Sequence, residues 1–189
     1  MTATSIDRTS AATELIQIFD PVSPRRSVAG NRGAARIDSL EGKRIGLLHN
    51  GKPGGEHMLA GIRLALAQRY PDATFDFRFK PHASVGANFL DELTGVWDAA
   101  VIAVGDCGSC SSYAVHDGTE LEKRGIPSVV FVSSPFEDMS RLWARRLEVP
   151  DLAILVVGHP LAQLPATVLA DEWGAPRTGE VVDLLTGAH

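Results

Sequence analysis

Residues 99–132 read AAVIAVGDCGSCSSYAVHDGTELEKRGIPSVVFV, and this stretch decides the fold class. Ala99 to Val104 form an unbroken apolar run, which is typical of a central parallel strand covered on both faces. A turn over Gly105 to Cys110 follows, and then a helical segment that stops at Gly125, a residue favoured after the last helical turn. Ser128 to Val132 form a second apolar run. The stretch is therefore predicted to be a strand-helix-strand unit with parallel strands.

Strand and helix patterns alternate on both sides of this unit. Further strands are predicted at Arg44–His49, Thr74–Phe79 and Leu152–Val157, and further helices at Glu56–Arg69, Ala87–Val96 and Pro135–Leu147, with one or two more up to about Leu185. This alternation predicts a three-layer α/β fold, with a five-stranded parallel sheet between two layers of helices. We expect a flavodoxin-like strand order, 2-1-3-4-5. The alternating residues of Thr74–Phe79 suit a sheet edge.

Composition limits the classes of protein to consider. The 189 residues fit one domain, and the net charge of −5 is spread without a basic run, so nucleic acid is not an expected partner. No apolar stretch reaches the roughly 18 to 20 residues that span a bilayer, so no membrane contact is expected. The N-terminus has no apolar segment of a secretory signal, so we expect a cytoplasmic protein. There, a cysteine pair is more often redox-active, catalytic or metal-binding than a structural crosslink.

Residues 1–39 are predicted to form an extended, partly flexible N-terminal arm, and residues 40–189 a single α/β domain. Leu15 to Phe19 (LIQIF) would add a short strand or an apolar clip to the core. Some arginines of the arm suit contact with a neighbouring subunit, namely Arg25, Arg26, Arg32 and Arg36. We therefore expect a homo-oligomer, or a hetero-oligomer with a second chain.

Ligands of open α/β sheets bind outside the carboxyl ends of the strands. Most polar candidates for a site follow these strand ends. The predicted substrate-binding residues are Asn50, Lys52, Lys80, Asp106, Ser109, Ser133 and Ser134. Lys52 and Lys80 suit a small substrate that bears a carboxylate. His159, at the end of a buried strand, and His116, in the helix after the cysteines, are candidate acids, bases or anion ligands.

Cys107 and Cys110 lie in a Cys-Gly-Ser-Cys turn at a predicted helix start. The positive end of a helix favours the thiolate, which is the nucleophilic form of cysteine. Cys107 is therefore the expected attacking thiol, and Cys110 is close enough to resolve it as a disulfide. A carboxylate at Asp106 would oppose thiolate formation, so we expect it to turn toward another partner. The alternative is two buried and unreactive cysteines.

A metal interpretation also has to be weighed. A zinc site could be built from Cys107, Cys110, His116 and His159. The two cysteines are closely spaced in the sequence, but the two histidines are not. Zinc sites of this kind usually have two closely spaced ligand pairs, so the spacing favours thiol chemistry over metal binding. Neither a G-x-G-x-x-G fingerprint nor a phosphate-binding P-loop occurs, so no cofactor is evident. Flavin stays open, because flavodoxin-like proteins bind it through ordinary loops.

The stretch from Ala100 to Val132 resembles the UGSC-motif family of selenoproteins and their cysteine-containing members. The resemblance extends to three further segments, which are RIGLLHNGKP at 44–53, Lys80-Pro81 and GHPL at 158–161. It therefore covers roughly residues 40–165. More distantly, the stretch is similar to the selenocysteine region of component B of glycine, sarcosine and betaine reductases. These resemblances place Cys107 at the selenocysteine position and Cys110 at the next cysteine, while the reductases' third cysteine is Tyr113 here. They imply a strong nucleophile at position 107.

Three functions are consistent with these observations. The first is a thiol-dependent oxidoreductase for a small molecule, in which Cys107 attacks, Cys110 forms the disulfide and an external thiol reductant restores both. The second is a non-redox lyase or transferase, with Cys107 as covalent nucleophile or base and His159 or His116 as proton partner. The third is a metal-binding or accessory subunit of a hetero-oligomeric enzyme. We favour the oxidoreductase, because the spacing of the two cysteines suits an attacking and a resolving thiol.

Overall fold

The computed structural model describes residues 33–188, and its elements follow the predicted alternation. The strands are β1 Arg44–His49, β2 Thr74–Phe79, β3 Ala99–Gly105, β4 Ser128–Ser133 and β5 Ala153–Val157. The α-helices are α1 Gly55–Arg69, α2 Gly108–Lys123, α3 Glu137–Arg146 and α4 Thr178–Thr186. Short 3-10 turns cover Leu90–Leu93, Ser134–Phe136 and Ala175–Arg177, and a π-helical turn covers Val168–Gly174. Between residues 33 and 188, no helix is both long enough and apolar enough to cross a bilayer.

The five strands run parallel in one sheet, in the order β2-β1-β3-β4-β5. The predicted three-layer α/β class and flavodoxin-like strand order are confirmed. β2 lies at one edge with side chains that are exposed or half-buried, which matches its alternating sequence. β3 lies in the middle and is buried along its whole length, as its unbroken apolar run predicts.

Hydrophobic side chains pack against both faces of the sheet. On one face, Ile62 of α1 and Val181 of α4 belong to the cluster that contains Phe131 of β4. On the other face, α2 and α3 contribute to a second cluster, in which Ala114 of α2 joins Ile102 of β3. Because successive side chains of a strand point to opposite faces, each buried strand contributes side chains to both clusters.

Two glycines allow α2 to lie close to the sheet. A Cβ atom added at Gly118 would come within 2.6 Å of Val130 Cγ2, and one added at Gly105 would come within 2.7 Å of Ser111 Cα. Protein interiors are too densely packed to absorb such overlaps without movement. A side chain at either position would therefore push α2, and the cysteine turn at its start, away from β3.

One predicted helix is wrong over most of its length. Residues 87–96 form only the short 3-10 turn Leu90–Leu93. The backbone leaves the helical region directly after this turn, because Thr94 is extended (φ −63°, ψ 122°) and Gly95 has a positive φ of 74°. After the turn, Trp97 enters the core at 3% exposure and ends the segment.

Most of the predicted arm lies outside the described residues. This applies to Leu15–Phe19, Arg25, Arg26 and Arg32. Arg36 is described, and its guanidinium pairs with Glu122 of the same chain at 2.8 Å. The N–H of Ala34 donates to the same carboxylate at 2.6 Å. Residues 34–36 thus pack on the α/β domain, ahead of its predicted start at residue 40, whereas the oligomeric state stays a prediction.

The burial of Glu122 makes the free energy of unfolding depend on pH. Burial raises the pKa of Glu122, although hydrogen bonds from Ser128 N and the contacts with Arg36 and Ala34 act in the opposite direction. The folded protein therefore holds this proton at pH values at which the unfolded chain has released it. The contribution of Glu122 to the free energy of unfolding must then fall as pH rises above about 4.3.

We expect the stability difference between the wild type and Glu122→Gln to decrease as pH rises, when measured by urea unfolding from about pH 4.5 to 7. Glu120→Gln is the control. Partial burial raises the pKa of Glu120, but hydrogen bonds and charges from Arg124 and Lys123 outweigh this effect, so the pKa is lowered. The stability difference between the wild type and Glu120→Gln should therefore change with pH in the opposite direction. A difference for Glu122→Gln that stays constant or increases with pH would contradict the prediction.

Candidate active site

The two cysteines lie in the turn where β3 ends and α2 begins. Cys107 caps the start of α2 with an extended backbone, and Cys110 lies in the first turn of the helix. Their sulfur atoms are joined in a disulfide, and their Cα atoms are 5.2 Å apart. The backbone N–H of Cys110 donates to Cys107 Sγ at 3.2 Å. The prediction that the two thiols come within disulfide distance at a helix start is confirmed.

The two cysteines differ in exposure. Cys107 is half-buried, whereas Cys110 is only 4% exposed. Gly108 lies between them on the surface, and a Cβ atom added there would meet nothing within 4 Å. A molecule arriving from solvent therefore reaches Cys107 more readily than Cys110. This asymmetry is what an attacking and a resolving sulfur require.

Asn50 braces the cysteine turn from inside the protein. Its Oδ1 accepts hydrogen bonds from the N–H of Val104 at 3.0 Å and of Lys52 at 3.2 Å. Its Nδ2 donates to the carbonyl of Cys110 at 3.3 Å. The sequence predicted that Asn50 binds substrate. The structure places it fully buried, with both ends of its amide occupied by the backbone.

Asp106 turns away from the neighbouring sulfur, as expected. Its Oδ1 lies 2.8 Å from His159 Nδ1, and its Oδ2 accepts from the N–H of Leu161 at 3.2 Å. The residue is 5% exposed, so its carboxylate acts within the protein rather than on a ligand. Asp106 thereby joins the loop after β3 to the loop after β5.

His159 is held by this contact in one orientation. Because the carboxylate of Asp106 accepts, Nδ1 carries the proton, and Nε2 is left as the nitrogen that can accept one. Ser133 Oγ lies 3.1 Å from the same Nδ1. A serine-histidine-aspartate triad needs its serine and its aspartate on opposite ring nitrogens, so Ser133 is not an activated nucleophile. The histidine side chain is 35% exposed and suits proton transfer at the surface.

Lys80 does not lie open at the end of β2. Its ammonium pairs with Asp117 of α2 at 2.5 Å, and both side chains are 0% exposed. Asp117 also accepts from the N–H of Ala87 and lies 3.2 Å from Nδ1 of the half-exposed His116. The structure therefore brings Lys80 and His116 together around one buried carboxylate. The role predicted for Lys80, meeting a substrate carboxylate, does not fit this placement.

Two serines stand beside the sulfur of Cys107. Ser109 Oγ lies 3.7 Å from Cys107 Sγ. Ser84, in the loop after β2, donates to Ser109 Oγ at 3.0 Å. Sequence reasoning did not find Ser84, because a single loop serine carries no recurring pattern. Lys52, half-buried after β1, and Ser134, exposed after β4, lie at the same end of the sheet and stay predictions for substrate binding.

The four residues weighed as zinc ligands do not come together. Cys107 and Cys110 are joined to each other, and the two histidines pair with separate aspartates. Across the described part of the chain, no group of three or more histidine, cysteine, aspartate or glutamate side chains is placed to hold a metal ion. The geometry of these residues does not support the metal-binding interpretation.

Comparison with known proteins agrees with the resemblance seen in the sequence. The model of the UGSC family matches residues 17–187, which is most of the chain. No curated protein matches the chain. The more distant similarity to component B of the reductases therefore stays a prediction.

Proposed function

Because this chain belongs to the UGSC family and holds Cys107 and Cys110 at disulfide distance, we propose that it is a thiol-dependent oxidoreductase for a small, carboxylate-bearing molecule. The observation that carries the proposal is the exposure difference between the two joined sulfurs. Cys107 meets solvent, and Cys110 lies 4% exposed directly behind it. An attacking thiol needs access, while a resolving thiol needs only its partner.

The proposed reaction moves two electrons. The thiolate of Cys107 attacks an electrophilic atom of the substrate, forms a covalent bond to it and expels a leaving group, which takes up a proton. The thiolate of Cys110 then attacks Cys107 Sγ and forms the disulfide. The bond between Cys107 and the substrate breaks, and its electron pair leaves with the substrate, which takes up a second proton. An external dithiol reduces the disulfide, becomes oxidised itself and restores both thiols.

The surroundings of Cys107 support each half of this cycle. The N–H of Cys110 and the start of α2 favour negative charge on Cys107 Sγ. His159, oriented by Asp106, supplies a proton at Nε2 to the departing substrate when it is protonated there. Lys52 is the rim lysine that we assign to the substrate carboxylate, because Lys80 is already paired in the interior.

Oxidised glutathione serves as a probe for the resolving role of Cys110. After reduction, Cys110→Ser is expected to accumulate one glutathionyl group on Cys107, because no thiol remains to displace it. The wild type should release the glutathionyl group and lose two hydrogen atoms within the peptide that contains both cysteines. Intact-protein and peptide mass spectrometry distinguish these products.

Cys107→Ser is the matched control, and it should gain little glutathione because Cys110 is almost inaccessible. A wild type that keeps its adduct as stably as Cys110→Ser would overturn the oxidoreductase proposal. That outcome would favour the non-redox lyase or transferase, in which Cys110 has no resolving role.

A further inference from the structure

A line of hydroxyl groups leads from the loop after β2 to the sulfur of Cys107. Ser84 donates to Ser109 Oγ at 3.0 Å, and Ser109 Oγ lies 3.7 Å from Cys107 Sγ. Ser84 and Ser109 are 25 positions apart in the chain, and both are exposed. Only the fold brings them together beside the cysteine turn.

The protonation of the sulfur determines which group donates in each of these hydrogen bonds. A thiolate has no proton, and neither has a disulfide sulfur, so Cys107 Sγ accepts in both states. The hydroxyl of Ser109 must therefore donate to the sulfur, which leaves the oxygen of Ser109 available to accept from Ser84. A hydroxyl that accepts one hydrogen bond donates a stronger one, so Ser84 strengthens the contact that Ser109 makes with the sulfur.

The loop that carries Ser84 is fastened at both ends to one carboxylate. Asp117 accepts from the ammonium of Lys80 at 2.5 Å and from the N–H of Ala87 at 2.9 Å. Both contacts reach Asp117 from the same loop, one before Ser84 and one after it. Asp117 lies on α2, the same helix that Cys107 caps. The carboxylate thus fixes the loop relative to the sulfur.

We propose that Ser84 and Asp117 are positioning residues that act through Ser109 to stabilise the thiolate of Cys107. This inference rests on the proposed function, because it concerns the reactive state of the same sulfur. Ser84 orients the hydroxyl of Ser109, and Asp117 orients the loop of Ser84. Neither residue touches the reacting atoms.

The test follows the rate at which iodoacetamide alkylates Cys107 in the reduced full-length chain, from about pH 5 to pH 10. Ser84→Ala is expected to move the midpoint of the rate profile upward by about half a pH unit, equal to a threefold lower thiolate fraction below the midpoint. Ser84→Thr, which keeps the hydroxyl, should restore the wild-type midpoint. Ser112→Ala is the control, because Ser112 Oγ donates to the carbonyl of Gly108 on the same helix turn.

Double variants show whether the residues act in series. Ser109→Ala should cause at least the shift of Ser84→Ala, and Ser84→Ala should add nothing once Ser109 is alanine. Asp117→Asn should likewise add no further shift of the midpoint to that of Ser84→Ala. If the Asp117→Asn variant does not fold, the variants of Ser84 and Ser109 still test whether Ser84 acts through Ser109. A midpoint for Ser84→Ala equal to that of Ser112→Ala would overturn the inference. This result would leave the proposed function intact if the wild type still releases reduced glutathione and forms the disulfide between Cys107 and Cys110.

Discussion

Replacing Cys107 with serine is expected to lower the rate at which iodoacetamide alkylates the reduced protein by at least about 100-fold at pH 7. Serine has no thiolate, and the remaining thiol of Cys110 is 4% exposed. The reagent can then reach a sulfur only when the cysteine turn opens locally. The initial rate, followed by mass spectrometry of the peptide that contains both positions, measures the effect.

Cys110→Ser is the matched control for the alkylation rate of Cys107→Ser. It also removes one thiol, but it leaves the half-buried Cys107 at the start of α2. Its alkylation rate should therefore stay within a few-fold of the wild-type rate. Equal rates for Cys107→Ser and Cys110→Ser would show that the exposure difference has no chemical consequence.

Replacing Asp117 with alanine is expected to lower the free energy of unfolding by about 3 to 5 kcal/mol. The change leaves the ammonium of Lys80, which is 0% exposed, without its counter-charge. It also removes the acceptor of the Ala87 N–H. A buried charge without a partner is among the most destabilising changes that a single substitution can make.

Asp91→Ala is the matched control for urea unfolding at pH 7. Asp91 also pairs with a basic side chain, Arg124, but its own side chain is 90% exposed. Removing such a surface pair should change stability by no more than about 1 kcal/mol. The prediction fails if Asp117→Ala and Asp91→Ala destabilise the protein equally.

The fold was predictable from the sequence wherever a pattern is local. The apolar run of β3 and the alternation of β2 specify a central and an edge strand, because each records the burial of its own residues. The helix predicted over residues 87–96 does not form, because the backbone leaves the helical region at Thr94 and Gly95 after a single 3-10 turn. Trp97 then enters the core. The spacing of apolar residues on which the prediction rested does not record such a change of backbone direction.

The site divides in the same way. Cys107 and Cys110 were predictable because their spacing and the helix after them lie within one short segment. Lys80, Asn50 and Ser84 could not be placed from the sequence, since their partners lie 37, 60 and 25 positions away. A polar residue after a strand has the same appearance whether it faces a ligand or an interior partner. Only the tertiary structure distinguishes these two cases.

The central position of β3 also bears on how the substrate specificity of this protein could change in evolution. Two strands flank β3 on each side, so the loops of four other strands surround the cysteine turn. Asn50 holds this turn through backbone contacts inside the protein, independently of the side chains of the half-buried Lys52 and the exposed Ser134. Under the proposed function, divergence at these two positions would change which molecule is accepted and leave the cysteine turn in place. A designer seeking a new substrate would begin with the same two positions.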